Sequence, residues 1–295
     1  MSDSPIKRIG VINWDCSISS ETTFFGKFAV RSLGPREFRD RTPYYAIETS
    51  PDTILYRNRS VSDYEIELRH AIAAKIDYFA YCWYDQTPSK EHLTDGASTT
   101  VDEMVYELTD ARMKHLASPL RDQLGLCAIL ITCHPYHTEA LAELAETMKQ
   151  PFYVKIDGRP LVYLFSPPWE ETLERLRKCC RTAGTPEPYA VLMSGSIQPD
   201  DAHKIQALSS YGGCGAHARS WDEFFELELQ FNEKRSHNGL PVVPHFSLGW
   251  NPSPRIKNPV PWCKYSEGDY APPATEEQLL DAAARLKEWI VSHRE

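Results

Sequence analysis

Two histidines three apart, His134 and His137, follow the apolar run Leu126 to Thr132, and their type and spacing suit a transition-metal ion. No third ligand stands near them in sequence, and the pair follows a strand pattern instead of sharing a helix face, so a metal-dependent hydrolase is the weaker reading. A second pattern is broader. Aromatic rings paired with short polar groups recur just past other apolar runs: Trp14 with Asp15, Trp83 and Tyr84 with Asp85, Tyr136 beside the histidines, and Trp250 with Asn251 and Arg255. Ser166, Trp169, Met193, Ser194, His217 and Trp221 occupy comparable places. Rings pack on the C–H faces of sugars, and carboxylate, amide and guanidinium groups bind hydroxyls, so the set suits a carbohydrate. Plainer roles compete: Trp14 and Trp83 as core aromatics, Asp85 as a turn or cap residue, and Cys179-Cys180 as packing inside a helix. Gly212, Gly213 and Gly215 lack the spacing and the Lys-Ser/Thr of a phosphate loop.

The elements that must position these residues alternate. Ile9 to Trp14, Ile76 to Tyr84, Leu126 to Thr132, Pro160 to Phe165, Tyr189 to Met193, Tyr211 to Ala216 and Pro241 to Phe246 read as strands. Pro43 to Ile47 is a further short extended stretch. Helices are predicted from Ser62-Asp-Tyr-Glu65 to about Lys75, over about 101–123, 138–149 and 169–183, from about Asp200, from Ser220, and from Thr275 to the end. Asp157-Gly158 marks a two-residue hairpin between Phe152–Ile156 and Pro160–Phe165, and Gly184 marks a helix end. Strands separated by helices imply βαβ units and a parallel sheet. Seven strand–helix units fall one short of the eight of a TIM-type (β/α)8 barrel. The expectation is a single barrel domain over 1–295 that lacks its eighth strand and is C-terminally incomplete, with a gap between the strands near 9 and 242.

Composition narrows the function classes. The formal net charge is −9, and no basic stripe occurs, which argues against a nucleic-acid partner. No run approaches the 18 apolar residues of a membrane span, and Ile9 to Ile12 is too short for a signal peptide's apolar region. The eight cysteines form no C-x-x-C pair, so a reducing compartment, the cytoplasm, is expected, without a disulfide framework or zinc site. No cofactor is called for. The oligomeric state is not encoded in any pattern.

Four segments in this order carry a family resemblance: Ile9-Gly-Val-Ile-Asn-Trp-Asp15, Ile76-Asp-Tyr-Phe-Ala-Tyr-Cys-Trp-Tyr84, Val154-Lys-Ile-Asp-Gly-Arg-Pro-Leu-Val-Tyr163, and Val243-Pro-His-Phe-Ser-Leu-Gly-Trp-Asn-Pro-Ser-Pro-Arg255. They resemble the glycoside hydrolase family 99-like group, including its WbsX-like branch found with polysaccharide gene clusters. The resemblance implies a (β/α)8 barrel acting on an oligosaccharide or polysaccharide, in its best-understood members as a retaining endo-α-mannosidase. There the substrate's own 2-hydroxyl is thought to act as nucleophile, with one carboxylate taking its proton and a second carboxyl group acting as acid and then base. Trp14, Asp15, Trp83, Tyr84, His134, Trp250, Asn251 and Arg255 are the expected sugar-site residues, with Asp15 the best carboxylate among them. Two departures stand out. Asn251 occupies the place of a usual Asp, and the family's Trp-Asn-Glu-x-x-Glu-Gly motif is missing, Glu267-Gly268 being its nearest echo. The implied protein is therefore a glycan-active barrel without turnover in this chain, or a non-catalytic carbohydrate-binding pseudoenzyme.

Overall fold

The structure, a computed structural model, describes residues 8–14, 24–57, 59–84, 101–131, 136–165, 167–193, 197, 199–212, 220–261 and 264–293. It is a mixed α/β protein whose main strands are parallel, and it divides into two units, Ile9–Tyr189 and the chain from Ala190 onward together with the N-terminal segment up to Arg8.

The first unit begins with β1 (Gly10–Asn13) and α1 (Phe24–Leu33), followed by an antiparallel pair, β2 (Ala46–Ser50) and β3 (Thr53–Tyr56). Then come α2 (Val61–Ala73), β4 (Tyr78–Trp83), α3 (Val101–Ala117), β5 (Gly125–Leu130), α4 (Thr138–Thr147), β6 (Lys155–Ile156), β7 (Arg159–Leu164) and α5 (Glu170–Ala183). Its parallel strands run in the order β1-β4-β5-β7, with Val11 beside Phe79, Ala80 beside Cys127 and Ile129 beside Tyr163. Every residue of β4 is buried, as expected of a parallel strand covered on both faces. The β6–β7 hairpin turns through Asp157 and Gly158, both at positive φ, the geometry of a type I′ turn.

Local chemistry sets the helix ends. The capping box of α2 sits two residues earlier than the Ser62–Glu65 pattern: Ser60 accepts from the Asp63 N–H, and Asp63 reaches back to the Ser60 N–H. Helix α3 stops at Ala117 because Pro119 pushes Ser118 into an extended conformation, and a 3-10 turn, Pro119–Asp122, replaces the expected continuation to 123. Gly184, left-handed at φ 72°, closes α5.

A buried polar chain ties this unit together. The Nε2 of His115 lies 2.9 Å from the Leu124 carbonyl, which can only accept, so Nε2 carries the proton and Nδ1 accepts from the Tyr81 hydroxyl at 3.0 Å. Tyr81 in turn accepts from Tyr64 at 2.9 Å, and Tyr64 accepts from the Asn13 amide at 3.3 Å. The order of donors from β1 through α2 and β4 to α3 is thus set by one carbonyl. Burial lowers the pKa of His115 to about 4, against the opposing effect of its bond to Leu124, and the ring is neutral near pH 7.

The second unit carries shorter strands. β8 (Tyr189–Leu192) leads into it, and β9 (Ala207–Leu208) pairs parallel with β8 at Val191↔Ala207. The expected strand over 211–216 is displaced to β9; Tyr211 and Gly212 are not strand, and 213–216 lie outside the described residues. The expected strand over 241–246 is reduced to one parallel bridge, Leu208↔Val242, because Pro241 and Pro244 donate no backbone hydrogen bond. The helix expected from Asp200 is a 3-10 turn, Pro199–Lys204. Helices α6 (Trp221–Ser236), α7 (Ser253–Lys257) and α8 (Glu276–Ser292) complete the unit. Its core is helical and aromatic: Trp221 stacks on Phe225 at 5.4 Å, and Phe246 meets both rings edge-on. Among the described residues, no helix is long and apolar enough to cross a membrane.

Candidate functional site

Alternation along β4 decides what the first unit's strand-end aromatics do. Phe79, Tyr81 and Trp83 share one face of the strand. The rings of Phe79 and Tyr81 meet His115 of α3, so this face looks toward the helix layer. Trp83, only 4% exposed, follows them and receives the guanidinium of Arg112 at 3.7 Å from its ring centre. Arg112 is itself buried, and its Nε and Nη1 have no hydrogen-bond partner among the described residues. Burial lowers its pKa to about 10, against the attraction of Glu143, Tyr136 and Tyr81, which leaves it charged at neutral pH with the tryptophan face as its compensating contact. Tyr136 donates to the Trp83 carbonyl and accepts from the Ile131 N–H at 2.8 Å, locking the ends of β4 and β5 together. Trp14 is half-buried, edge-on to Phe25 at 6.3 Å, and Tyr84 is half-buried.

The second unit is arranged differently. The buried side chains of α6 fall at Trp221, Phe224, Phe225, Glu228, Asn232 and Arg235, a helical stripe that is aromatic in its first half and polar in its second. Glu228 therefore sits inside, 3% exposed, where a carboxylate must be paired. His245 lies 3.1 Å from Oε1 through Nδ1, and the Ser247 N–H donates to Oε2 at 3.0 Å. The carboxylate can only accept, so Nδ1 carries a proton, and in the neutral ring the lone pair is on Nε2. A side chain on Gly212 would begin 3.1 Å from that Nε2, and Gly212 holds φ at +124°. Gly212 and His245 both lie past the same end of the parallel Leu208–Val242 pair.

The segment after His245 is fixed by its backbone. Gly249, at φ +126°, passes so close to the chain that a Cβ would stand 3.0 Å from the Pro272 carbonyl oxygen. Trp250 then exchanges two hydrogen bonds with Ala271, at 3.0 and 2.7 Å. Asn251 accepts at Oδ1 from both the N–H and the hydroxyl of Ser253, a turn that leads into α7. Arg255, on α7, reaches the Tyr265 hydroxyl at 3.5 Å, and the Tyr265 ring lies 6.0 Å from that of Trp250, tilted by 56°. A half-buried indole, a phenol and a guanidinium are thereby held within one short stretch of chain.

The expected site residues are drawn from both units. Trp250, Asn251 and Arg255 share one local structure in the second; Trp14, Trp83 and Tyr84 belong to the first, where Trp83 is committed to Arg112. Asp15 and His134 lie outside the described residues, as do Asp85, Ser166, Ser194 and His217. His137 is exposed and precedes α4 without capping it through its side chain. Among the described residues, no group of three or more His, Cys, Asp or Glu is placed to hold a metal ion. Glu228 and the role of His245 escaped the sequence reading. The available signal was a glutamate three and four residues after Phe225 and Phe224, on the stripe that the aromatic spacing defines as internal. No protein-family model matches the chain, and no curated protein matches it.

Proposed function

We propose that the chain is a carbohydrate-binding α/β protein of the glycoside hydrolase family 99-like kind, built as a TIM-type barrel and engaging a glycan, with α-mannosides the first candidates. The observation that carries the reading is the Trp250–Tyr265–Arg255 cluster. Its ring offers a face for sugar C–H groups, and its phenol and guanidinium offer hydroxyl partners, all held in place by Gly249 and the Trp250–Ala271 bridge. Binding is favoured over turnover because glycosidic cleavage needs two placed carboxyl groups, and the Trp-Asn-Glu-x-x-Glu-Gly motif that supplies them in the resembled family does not occur here. Asn251 fits the same reading, since its amide oxygen serves the turn into α7 without bringing a charge.

The test is calorimetric titration of the full chain with α-manno-oligosaccharides and a wider glycan panel, alongside an assay for released reducing ends. Saturable binding that weakens in Trp250→Ala and in Arg255→Met, without turnover, is the expected result. Arg255→Met spares the core packing of Trp250 and separates lost recognition from lost folding. A chain that binds no member of the panel overturns the proposal, and turnover of α-mannan overturns its non-catalytic part.

A further inference from the structure

We propose that His245 is a ligand-contacting residue whose Nε2 accepts a hydrogen bond from a sugar hydroxyl, with Glu228 as the positioning residue that holds the ring in that tautomer. The inference rests on the glycan reading above and names a polar contact within it. Three observations carry it. Glu228 is a buried carboxylate on α6 directly after the aromatic half of the stripe, Trp221, Phe224 and Phe225, and a buried charge is a weak source of stability. Both of its oxygens are instead spent on fixing one imidazole and the backbone beside it. Second, the hydrogen bonds of His245 all run through Nδ1; among the described residues Nε2 has no partner, and the side chain is 17% exposed. Third, the residue facing Nε2 is Gly212, the one residue type without a side chain to cover it.

The chemistry limits the ligand. A neutral imidazole with Nδ1 protonated and committed offers only an acceptor, which repels a carboxylate or phosphate oxygen and takes an O–H or N–H donor. The place, beyond the carboxyl ends of parallel strands, is where α/β proteins build ligand sites. On a glycan the available donor is a hydroxyl.

The experiment follows the imidazole nitrogens of His245 by 15N NMR in the full chain during titration with α-manno-oligosaccharides, with tryptophan fluorescence recorded on the same samples. Free protein should show Nδ1 protonated and Nε2 unprotonated. The Nε2 signal should then move with the same midpoint as the fluorescence. His245→Phe should weaken binding roughly threefold to tenfold, the range of one lost hydrogen bond. Glu228→Gln should redistribute the ring proton between the two nitrogens, which a merely structural carboxylate would not do. Saturating fluorescence with an unmoved Nε2 signal, or His245→Phe binding as tightly as the wild type, overturns this inference and leaves the glycan reading standing. Absence of saturation by any glycan overturns both. The wild-type titration needs no variant, so a misfolded Glu228→Gln does not blunt the test.

Discussion

The two units end their strands in opposite ways. In the first, β4 and β5 pair over six residues each, and the groups at their ends are consumed by the fold: Trp83 lies under Arg112, and Tyr136 stitches the last carbonyl of β4 to the chain just past β5. In the second, β9 has two residues and Val242 a single bridge, so the chain leaves the sheet early. The released backbone is then shaped by Gly212, Gly249 and prolines, and presents His245, Trp250 and Arg255. Long pairing makes a rigid frame that takes up its strand-end groups in packing; early release hands the side chains to turns and glycines that position them.

That contrast is broken or sharpened first by the core. Leu130 is fully buried in β5, beside Trp83 on one side and Leu164 on the other. Leu130→Ala should cost about 2–5 kcal/mol, the transfer of the removed methyl groups plus the cavity left behind. Leu248, in the second unit, is 65% exposed, and Leu248→Ala should stay within about 0.5 kcal/mol. Denaturant unfolding of both variants reads the difference; equal costs would show that the first unit's sheet is not the rigid frame.

Acid should act mainly on the first unit. The His115 pKa is about 4 in the fold against the ordinary value of 6.5, so the unfolded chain takes up a proton first as pH falls. The stability carried by the neutral ring is fully present above pH 6.5. It is lost progressively down to about pH 4 and then levels off, a change on the order of 3 kcal/mol. His115→Gln, whose amide can accept from Tyr81 and donate to Leu124 without titrating, should flatten that limb in unfolding measured from pH 7 to pH 4. An unchanged limb would place the acid sensitivity in another group.

The same contrast governs what could be read from sequence. β4, β5 and β7 were legible because strands buried on both faces read as continuous apolar runs, and the hairpin because Asp157-Gly158 has one favoured turn. That same continuity hid which way Trp83 points, since a strand apolar on both faces gives no alternation to orient it. The extended stretch expected over Pro43 to Ile47 overlaps the start of β2, but its pairing with β3 was not legible, because four of the five residues of β2 are exposed and Glu48, Thr49 and Ser50 are polar. Two-residue β9 is too short for any period. In the site, the Gly249-to-Arg255 segment stood out as a motif, whereas Glu228 did not, because a glutamate in a helix is ordinarily on its surface.

The smallest effect separates two capping boxes of the same design. In the first unit Ser60 and Asp63 cap α2; in the second Thr275 and Gln278 cap α8, each by a pair of reciprocal hydrogen bonds. Backbone and side-chain hydrogen bonds from Ser60, with a smaller contribution from Arg57, hold the Asp63 carboxyl below the usual carboxylate range. A carboxylate stabilised in the fold contributes its share above its unfolded pKa and loses it as pH falls through the lower, folded value. Gln278 does not titrate. Lowering the pH should therefore loosen the first turn of α2 while leaving that of α8 unchanged, read as protection of the Asp63 and Gln278 amides in hydrogen exchange, corrected for intrinsic rates. Asp63→Asn should remove the difference, because an amide holds the Ser60 N–H at any pH. Equal loss of protection at both helix starts would show that acid loosens the helices through the fold as a whole and not through this one carboxylate.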